Sequence, residues 1–146
     1  MSTLSVNTVK SLGTGAPVFQ NSSGTEKGRL AKAYVNFDGT GTLTSSNQSG
    51  VRDSFNVAAV IDDGTGRYTV TFTNQMSDAN YVTNVSQNFL NNDNTNMTSM
   101  VCGIHQQTTT DVKVYTTLLL GGGSQNQQAN RSATDCEMVY VVVFGG

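Results

Sequence analysis

The stretch VRDSFNVAAVIDDGTGRYTVTF, residues 51–72, decides the fold class of this chain. In its second half, Tyr68, Val70 and Phe72 alternate with threonines. This period of two is typical of a β-strand that buries one face. The Asp-Gly-Thr-Gly segment just before it predicts a tight turn, because glycine adopts positive φ at little steric cost. We therefore expect a β-hairpin over residues 55–73 that contributes an aromatic face to a core.

Strands of the same kind are predicted along the rest of the chain. Phe55 and Val57 start the strand before the turn, and both are expected to be buried with the aromatic face of the hairpin. The other predicted strands cover residues 31–37, 81–87, 97–105, 112–120 and 136–144. No stretch has apolar residues at i, i+3, i+4 and i+7, the pattern of an amphipathic helix. We expect an all-β fold, an antiparallel and jelly-roll-like β-sandwich of about seven or eight strands.

Composition divides the chain into two parts. Residues 1–27 hold too few apolar residues for a core and are expected to form an extended N-terminal arm, while residues 28–146 form the β-sandwich domain. If consecutive strands pair as hairpins, the loops separate into two groups at opposite ends. One end is expected to hold the arm, the turn 62–66 and the loops 88–96 and 121–135, and the other the loops 38–52, 74–80 and 106–111 with the C-terminus.

The overall composition argues against several classes of protein. Hydrophobic residues make up 36% of the chain, charged residues 12%, and the net charge is −2. Disordered chains with so few apolar residues are usually highly charged, so a fold with a neutral polar surface fits better. The eight Lys and Arg residues are spread thinly, which argues against a nucleic-acid partner. No long apolar run predicts a membrane span and no signal peptide is visible, so we expect synthesis in a cytoplasm.

The chain offers few residues for catalysis. His105 is its single histidine, and neither H-E-x-x-H, G-x-S-x-G nor a phosphate-binding glycine motif is present. Asp62 and Asp63 flank a turn, where Asp ordinarily bonds nearby backbone amides. Cys102 and Cys136 lie in predicted strands; buried free thiols are expected, and a disulfide is the alternative. We predict no catalytic, cofactor-binding or metal-ligating residues, and we expect that the protein is not an enzyme.

Two loops are rich in amide side chains, NNDNTN at 91–96 and GGGSQNQQANRS at 121–132. The first lacks the central glycine and the bidentate Glu of an EF-hand, so we interpret it as a polar loop. Amides carry both donors and acceptors, which suits sugar hydroxyls, but they equally keep a loop hydrated. The composition therefore leaves sugar binding open and assigns no binding residues.

Two stretches resemble a module of tailed-bacteriophage virion proteins, GRLAKAYVNFDGTGT (28–42) and VRDSFNVAAVIDDGTGRYTVTFTNQMSDANY (51–81). The module is familiar in tail-fibre proteins of marine and cyanobacterial phages. Tyr34 stands where it usually has Trp, Ser77 where it has Pro, and residues 43–50 resemble an insertion. The resemblance implies a structural protein on the outside of the virion, usually a homotrimer, and it transfers no catalytic residues.

Apolar patterning gives a separate reason to expect self-association. The stretch VYVVVF (139–144) is apolar on both faces, and so is LLL (118–120), whereas a sandwich sheet needs one apolar face. The second face needs cover from the arm or from another copy of the chain. We therefore expect a homotrimer that also contacts other virion proteins through the arm.

Four functional hypotheses follow, in descending order of support. The first is a tail-fibre or receptor-binding module, and the second is a capsid decoration (cement) protein that stabilises the head shell. A sugar-binding lectin-like module is third, and a hydrolase is the least supported. A host surface glycan is thus a further candidate partner, whereas nucleic acid and membrane are not expected.

Overall fold

The computed structural model describes residues 19–28, 30–88, 100–120 and 130–145, and these contain eleven strands and no helix. In chain order the strands are β1 (Phe19–Gln20), β2 (Glu26–Gly28), β3 (Ala31–Phe37), β4 (Val51–Phe55), β5 (Val57–Gly64), β6 (Arg67–Phe72), β7 (Val82–Asn88), β8 (Met100–Gln107), β9 (Asp111–Leu120), β10 (Asn130–Ala133) and β11 (Met138–Phe144). The predicted turn joins β5 to β6, and both Gly64 and Gly66 have positive φ, at 117° and 65°.

Nine of these strands build two sheets that pack face to face. The first has the order β4-β3-β11-β7; the second has the order β10-β9-β6-β5, with β8 paired to the other edge of β9. Every pairing is antiparallel. The expected all-β sandwich is confirmed, with more strands than the seven or eight predicted. Hairpins within one sheet are interleaved with connections that cross to the other, so the jelly-roll expectation fits the two-sheet layout rather than the strand order.

The core lies between the two sheets and is built largely from valine and aromatic side chains. Tyr68, Val70 and Phe72 are buried as predicted, at 0%, 1% and 6% exposure. The Phe37 and Tyr68 rings meet edge to face with centroids 5.0 Å apart, which joins the two sheets at one end. The buried residues are Ala33, Val35, Phe37, Leu43, Val60, Tyr68, Val70, Phe72, Met76, Tyr81, Val112, Val114, Cys136, Val139, Val141 and Val143.

Asn56 is the corner at which the chain leaves the first sheet and enters the second. It has a φ of 55° and separates β4 from β5, so Phe55 and Val57 belong to different sheets. Val57 packs against the core, but Phe55 is 54% exposed and pairs with Tyr34 on the outer face of the first sheet. The prediction that Phe55 is buried with the hairpin is therefore wrong, because a sheet change interrupts the alternation at Asn56.

The four side-chain hydrogen bonds of Asn56 fix this corner. Its Nδ2 donates to the carbonyls of Lys32 and Asn74 at 3.0 and 3.1 Å. Its Oδ1 accepts from the backbone N and from Nδ2 of Asn74 at 2.7 and 3.1 Å. Asn is among the few residues other than glycine that occupy this backbone region readily, since its short side chain bonds locally.

The two ends of the sandwich carry different loops. At the end we call basal, β3 begins and β11 ends, with Phe144 opposite both Ala31 and Val82. Segment 74–80 also lies there, as predicted, because it leads into β7, whose first residue Val82 is opposite Phe144. Segment 106–111 lies beside it, since Met76 N donates to Thr109 O at 2.8 Å. The opposite end, which we call the turn end, holds the β5–β6 turn and Asp135, whose Oδ1 accepts from Gly66 N at 2.6 Å.

Loop 38–50 lies at the turn end rather than at the predicted basal end. Gly39 N donates to Cys136 O at 2.8 Å, and Asp62 N donates to Leu43 O at 2.9 Å. The start of β3 accordingly lies at the basal end, opposite to the expected entry of the arm. Both corrections have one cause, since β4 is an additional strand that reverses the chain before β5. Its sequence, VRDSF, has no apolar alternation to reveal it.

Part of the expected extended arm folds back on itself. Strands β1 and β2 pair as a small antiparallel hairpin. Its turn is held by Asn21, whose Oδ1 accepts from Ser23 N and Thr25 N at 3.2 and 2.8 Å. Residues 1–18 lie outside the described residues, as do loop segments 89–99 and 121–129.

Loop 38–50 covers the free edge of β5. The Gln48 side chain mimics a neighbouring strand there, because its Nε2 donates to Val60 O at 2.9 Å and its Oε1 accepts from Val60 N at 2.7 Å. Leu43 from the same loop is 2% exposed within the core. The segment interpreted as an insertion thus satisfies an edge that would otherwise present unpaired backbone groups.

Candidate functional site

The residues that carry the phage-module resemblance hold the fold. Asp38 accepts from Thr40 N at 3.0 Å and pairs with Arg52, whose Nη2 lies 3.0 Å from Asp38 Oδ2. Arg52 Nη1 also donates to Glu137 O at 2.5 Å. These contacts tie loop 38–50, β4 and the start of β11 together at the turn end. Asp38 and Arg52 of the motif therefore hold the fold together at this end.

Close packing at the turn end explains two of the glycines. A Cβ on Gly39 would overlap the Tyr68 hydroxyl and lie 2.9 Å from Cys136 O. A Cβ on Gly66 would overlap Thr116 O and lie 2.7 Å from Thr134 N. The buried Tyr68 hydroxyl donates to Asp135 Oδ1 at 2.8 Å, and burial together with this carboxylate raises the pKa of Tyr68.

The acidic residues of the hairpin have separate structural roles. Asp62 Oδ1 accepts from Gly64 N at 2.8 Å, so its predicted turn role is confirmed. Asp63 Oδ2 accepts from Thr69 Oγ1 at 2.5 Å on the outer face of the second sheet.

His105 is exposed on β8. The NNDNTN loop at 91–96 lies outside the described residues.

Both cysteines are free thiols, as expected. Cys102 Sγ donates to Val85 O at 3.2 Å, and the fully buried Cys136 donates to Gln87 Oε1 at 3.4 Å. Burial raises the pKa of both thiols, so the thiolate needed for reaction or metal binding is disfavoured. Within the described ranges, no group of three His, Cys, Asp or Glu side chains is placed to hold a metal ion.

An apolar surface lies on the outer face of the first sheet, toward the basal end. We call it the apolar face, and it consists of Tyr34, Phe55, Val82, Val142 and Phe144. Register places Phe55 beside Tyr34, Tyr34 beside Val142, and Phe144 beside Val82. Phe55, Val82 and Phe144 are 54%, 67% and 41% exposed, and the Tyr34 and Phe55 rings stack with centroids 6.1 Å apart. The prediction that VYVVVF has a second apolar face is confirmed; the LLL side chains are not described.

A groove of about 460 Å³ opens on the outer face of the second sheet, toward the turn end. It is lined by Asp63, Gly66, Arg67, Tyr68, His105, Lys113, Val114, Tyr115, Thr117 and Ala133. The register sets Arg67, Tyr115 and Gly103 side by side on β6, β9 and β8. Lys113 lies one step away, between Thr69 and Gln106.

Two local features shape the floor of this groove. A Cβ on Gly103 would lie 2.7 Å from the Tyr115 hydroxyl and 2.9 Å from its Cζ, so the absence of a side chain lets the tyrosine ring lie across β8. The β8–β9 register shifts between Ile104 and Gln106, which makes His105 the additional residue of a β-bulge. Sequence reasoning missed this groove, although a glycine inside a strand and a lone histidine beside it were visible signals.

A scan of protein-family models, a search of curated proteins and a search of solved structures each returned no match. Among the described residues, no helix is long and apolar enough to cross a membrane. The apolar face and the groove are the two candidate functional surfaces among the described residues.

Proposed function

We propose that this chain is a non-enzymatic structural protein of a tailed-phage virion, assembled as a homotrimer and serving as a tail-fibre or receptor-binding module. The observation that carries the proposal is the apolar face, which is a sheet surface left exposed in the single chain. The sequence resemblance to phage virion modules supports the same assignment. Synthesis in the host cytoplasm and assembly onto the virion follow from it.

The apolar face would supply part of the free energy of association. The exposed fractions of Phe55, Val82 and Phe144 correspond to roughly 300 Å² of apolar surface. At about 25 cal/mol per Å², burying this surface contributes about 7 kcal/mol per subunit, before the cost of association is subtracted. The half-buried Tyr34 and Val142 extend the same patch and supply a packed centre. A patch of roughly 300 Å² is comparable to the largest apolar patch on an ordinary monomer, and such patches are often functional.

The end at which β3 begins orients the proposed module. Ala31 lies at the basal end, so a segment that precedes it and attaches to other virion proteins meets the domain there. The turn end then faces away from the particle. The sequence predicts that the arm and the amide-rich loops share one end, whereas β3 begins at the end opposite the β5–β6 turn. The position of the start of β3 supports a receptor-facing role for the turn end.

Sedimentation of the full-length protein and of a matched pair of variants tests the trimer. Wild type should sediment at about three times the 15.5 kDa chain mass. Val82→Lys, which places a charge on the apolar face, should sediment as a folded monomer, whereas Ala58→Lys, on the edge strand of the other sheet, should stay trimeric. A monomeric wild type at micromolar concentration, or a trimeric Val82→Lys, would contradict the proposed interface.

A capsid decoration protein is the second candidate, because the same trimer and basal attachment would suit the head shell. The number of copies in each particle separates the two, with tens expected for a fibre and hundreds for a decoration protein. Labelling of intact host cells by purified trimer would support the receptor-binding module.

A further inference from the structure

We propose that the groove on the outer face of β6, β9 and β8 binds an acidic sugar, meaning a pyranose ring that carries a carboxylate or a phosphate. That this sugar comes from a host surface glycan rests on the proposed function. That the groove binds an acidic sugar rests only on the chemistry of the groove. No binding residue was assigned here from the sequence, since the lining residues come from strands far apart in the chain.

The aromatic floor suits a sugar ring. Tyr115 is half-buried and crosses β8 over Gly103, so its ring is held against the sheet within an open groove. An aromatic surface of this type packs against the C–H face of a pyranose, while the phenol hydroxyl can bond a sugar hydroxyl. Thr117 adds a second hydroxyl at the wall. A groove of about 460 Å³ is the size of ordinary small-ligand sites.

The charges around the floor favour an anion. Arg67 and Lys113 both line the groove, and Asp63 is the one carboxylate among its lining residues. Asp63 already accepts a hydrogen bond from Thr69. Within the described residues the one ion pair joins Arg52 to Asp38, so neither groove cation is paired there. Arg67 and Lys113 against Asp63 give the lining a net positive charge on a chain whose net charge is −2. Cations in this setting form charge-assisted hydrogen bonds to carboxylate or phosphate oxygens.

The position of the groove agrees with recognition of an external ligand. It lies on the sheet that does not carry the apolar face, and Gly66 and Arg67 place it beside the β5–β6 turn. A trimer closed through the apolar face would leave it open. Each subunit would then offer one site, and three weak sites on one particle component would bind a repetitive glycan with high avidity.

Isothermal titration of the full-length protein with defined sugars tests the site. The acidic probes are a galacturonic acid trisaccharide, which carries carboxylates, and mannose 6-phosphate, which carries a phosphate; the neutral controls are a galactose trisaccharide and mannose. At least one acidic probe should bind about tenfold more tightly than its neutral counterpart, and whichever binds identifies the anionic group. Raising the salt from 0.05 to 0.5 M should weaken that binding. Equal affinity for acidic and neutral probes, or no binding of either, would overturn the proposal.

Matched variants locate the binding on the protein. Lys113→Gln and Tyr115→Ala should each weaken the binding about tenfold, whereas Lys32→Gln, which removes a cation from the other sheet, should leave it unchanged. Wild-type affinity in both groove variants would overturn the assignment. Sedimentation of the same samples separates the two proposals: a trimeric wild type that binds no acidic sugar is a failure of the groove, and sugar binding by a monomeric wild type is a failure of the trimer.

Discussion

Asn56 should contribute more to the stability of the domain than an exposed loop residue such as Asn80, because the chain changes sheets at Asn56. Asn56→Ala removes four side-chain hydrogen bonds, with donor–acceptor distances between 2.7 and 3.1 Å. Most of these bonds are solvent-exposed, so about 0.5–1 kcal/mol each gives roughly 2–4 kcal/mol in total. Placing alanine at a φ of 55° adds about 1 kcal/mol. The free energy of unfolding should therefore fall by about 3–5 kcal/mol.

Asn56→Gly separates the two contributions. Glycine loses the same hydrogen bonds but accepts the positive φ, so it should be about 1 kcal/mol more stable than Asn56→Ala. Asn80→Ala is the control, since Asn80 is exposed and should change stability by less than about 0.5 kcal/mol. Urea denaturation at one fixed protein concentration measures all three, because the stability of the proposed trimer would depend on concentration. An Asn56→Ala protein within about 0.5 kcal/mol of wild type, or no less stable than Asn56→Gly, would refute the reasoning.

Three further predictions concern the core and its buried groups. Phe72→Ala should destabilise by about 3–5 kcal/mol and Thr71→Ala by less than about 1 kcal/mol in urea denaturation, and equal effects would refute the facing of β6. Burial raises the pKa of Tyr81 to about 12 from 10.0, so stability should fall from about pH 10 to pH 12 as the unfolded tyrosine ionises first. Tyr81→Phe should make this decline shallower in pH-dependent melts without removing it, because the pKa of the buried Tyr68 is raised as well. An unchanged decline would exclude Tyr81 as a contributor. Thiol labelling of the native protein at pH 8 should reach Cys102 before the fully buried Cys136, and fast labelling of Cys136 would contradict its burial.

The fold class was predictable from sequence where apolar alternation is strict. Tyr68, Val70 and Phe72 follow the pleat of β6, and the turn before them follows from glycines at positive φ. Strand β4 was not predictable in this way, because Arg52 and the polar residues beside it interrupt the pattern. That strand is defined by backbone pairing with β3, a long-range contact that leaves no local periodicity.

The apolar face and the groove, the two candidate functional surfaces, differ in how much of them the sequence reveals. A second apolar face is visible in VYVVVF itself, because both sets of alternating residues are apolar. The contribution of Phe55 to that face is not, since it depends on the sheet change at Asn56. The groove depends on the register between β6, β9 and β8, which brings Arg67 beside Tyr115, and local sequence does not specify register across such distances.

We propose that this chain is a trimeric component of a tailed-phage virion. The most direct test is quantitative mass spectrometry of washed, purified particles from a phage that encodes the chain. We expect the protein in every particle in a copy number divisible by three, in the tens if it belongs to the tail. Intact, infectious particles that lack the protein, although they were produced while the chain was expressed, would rule out a virion role.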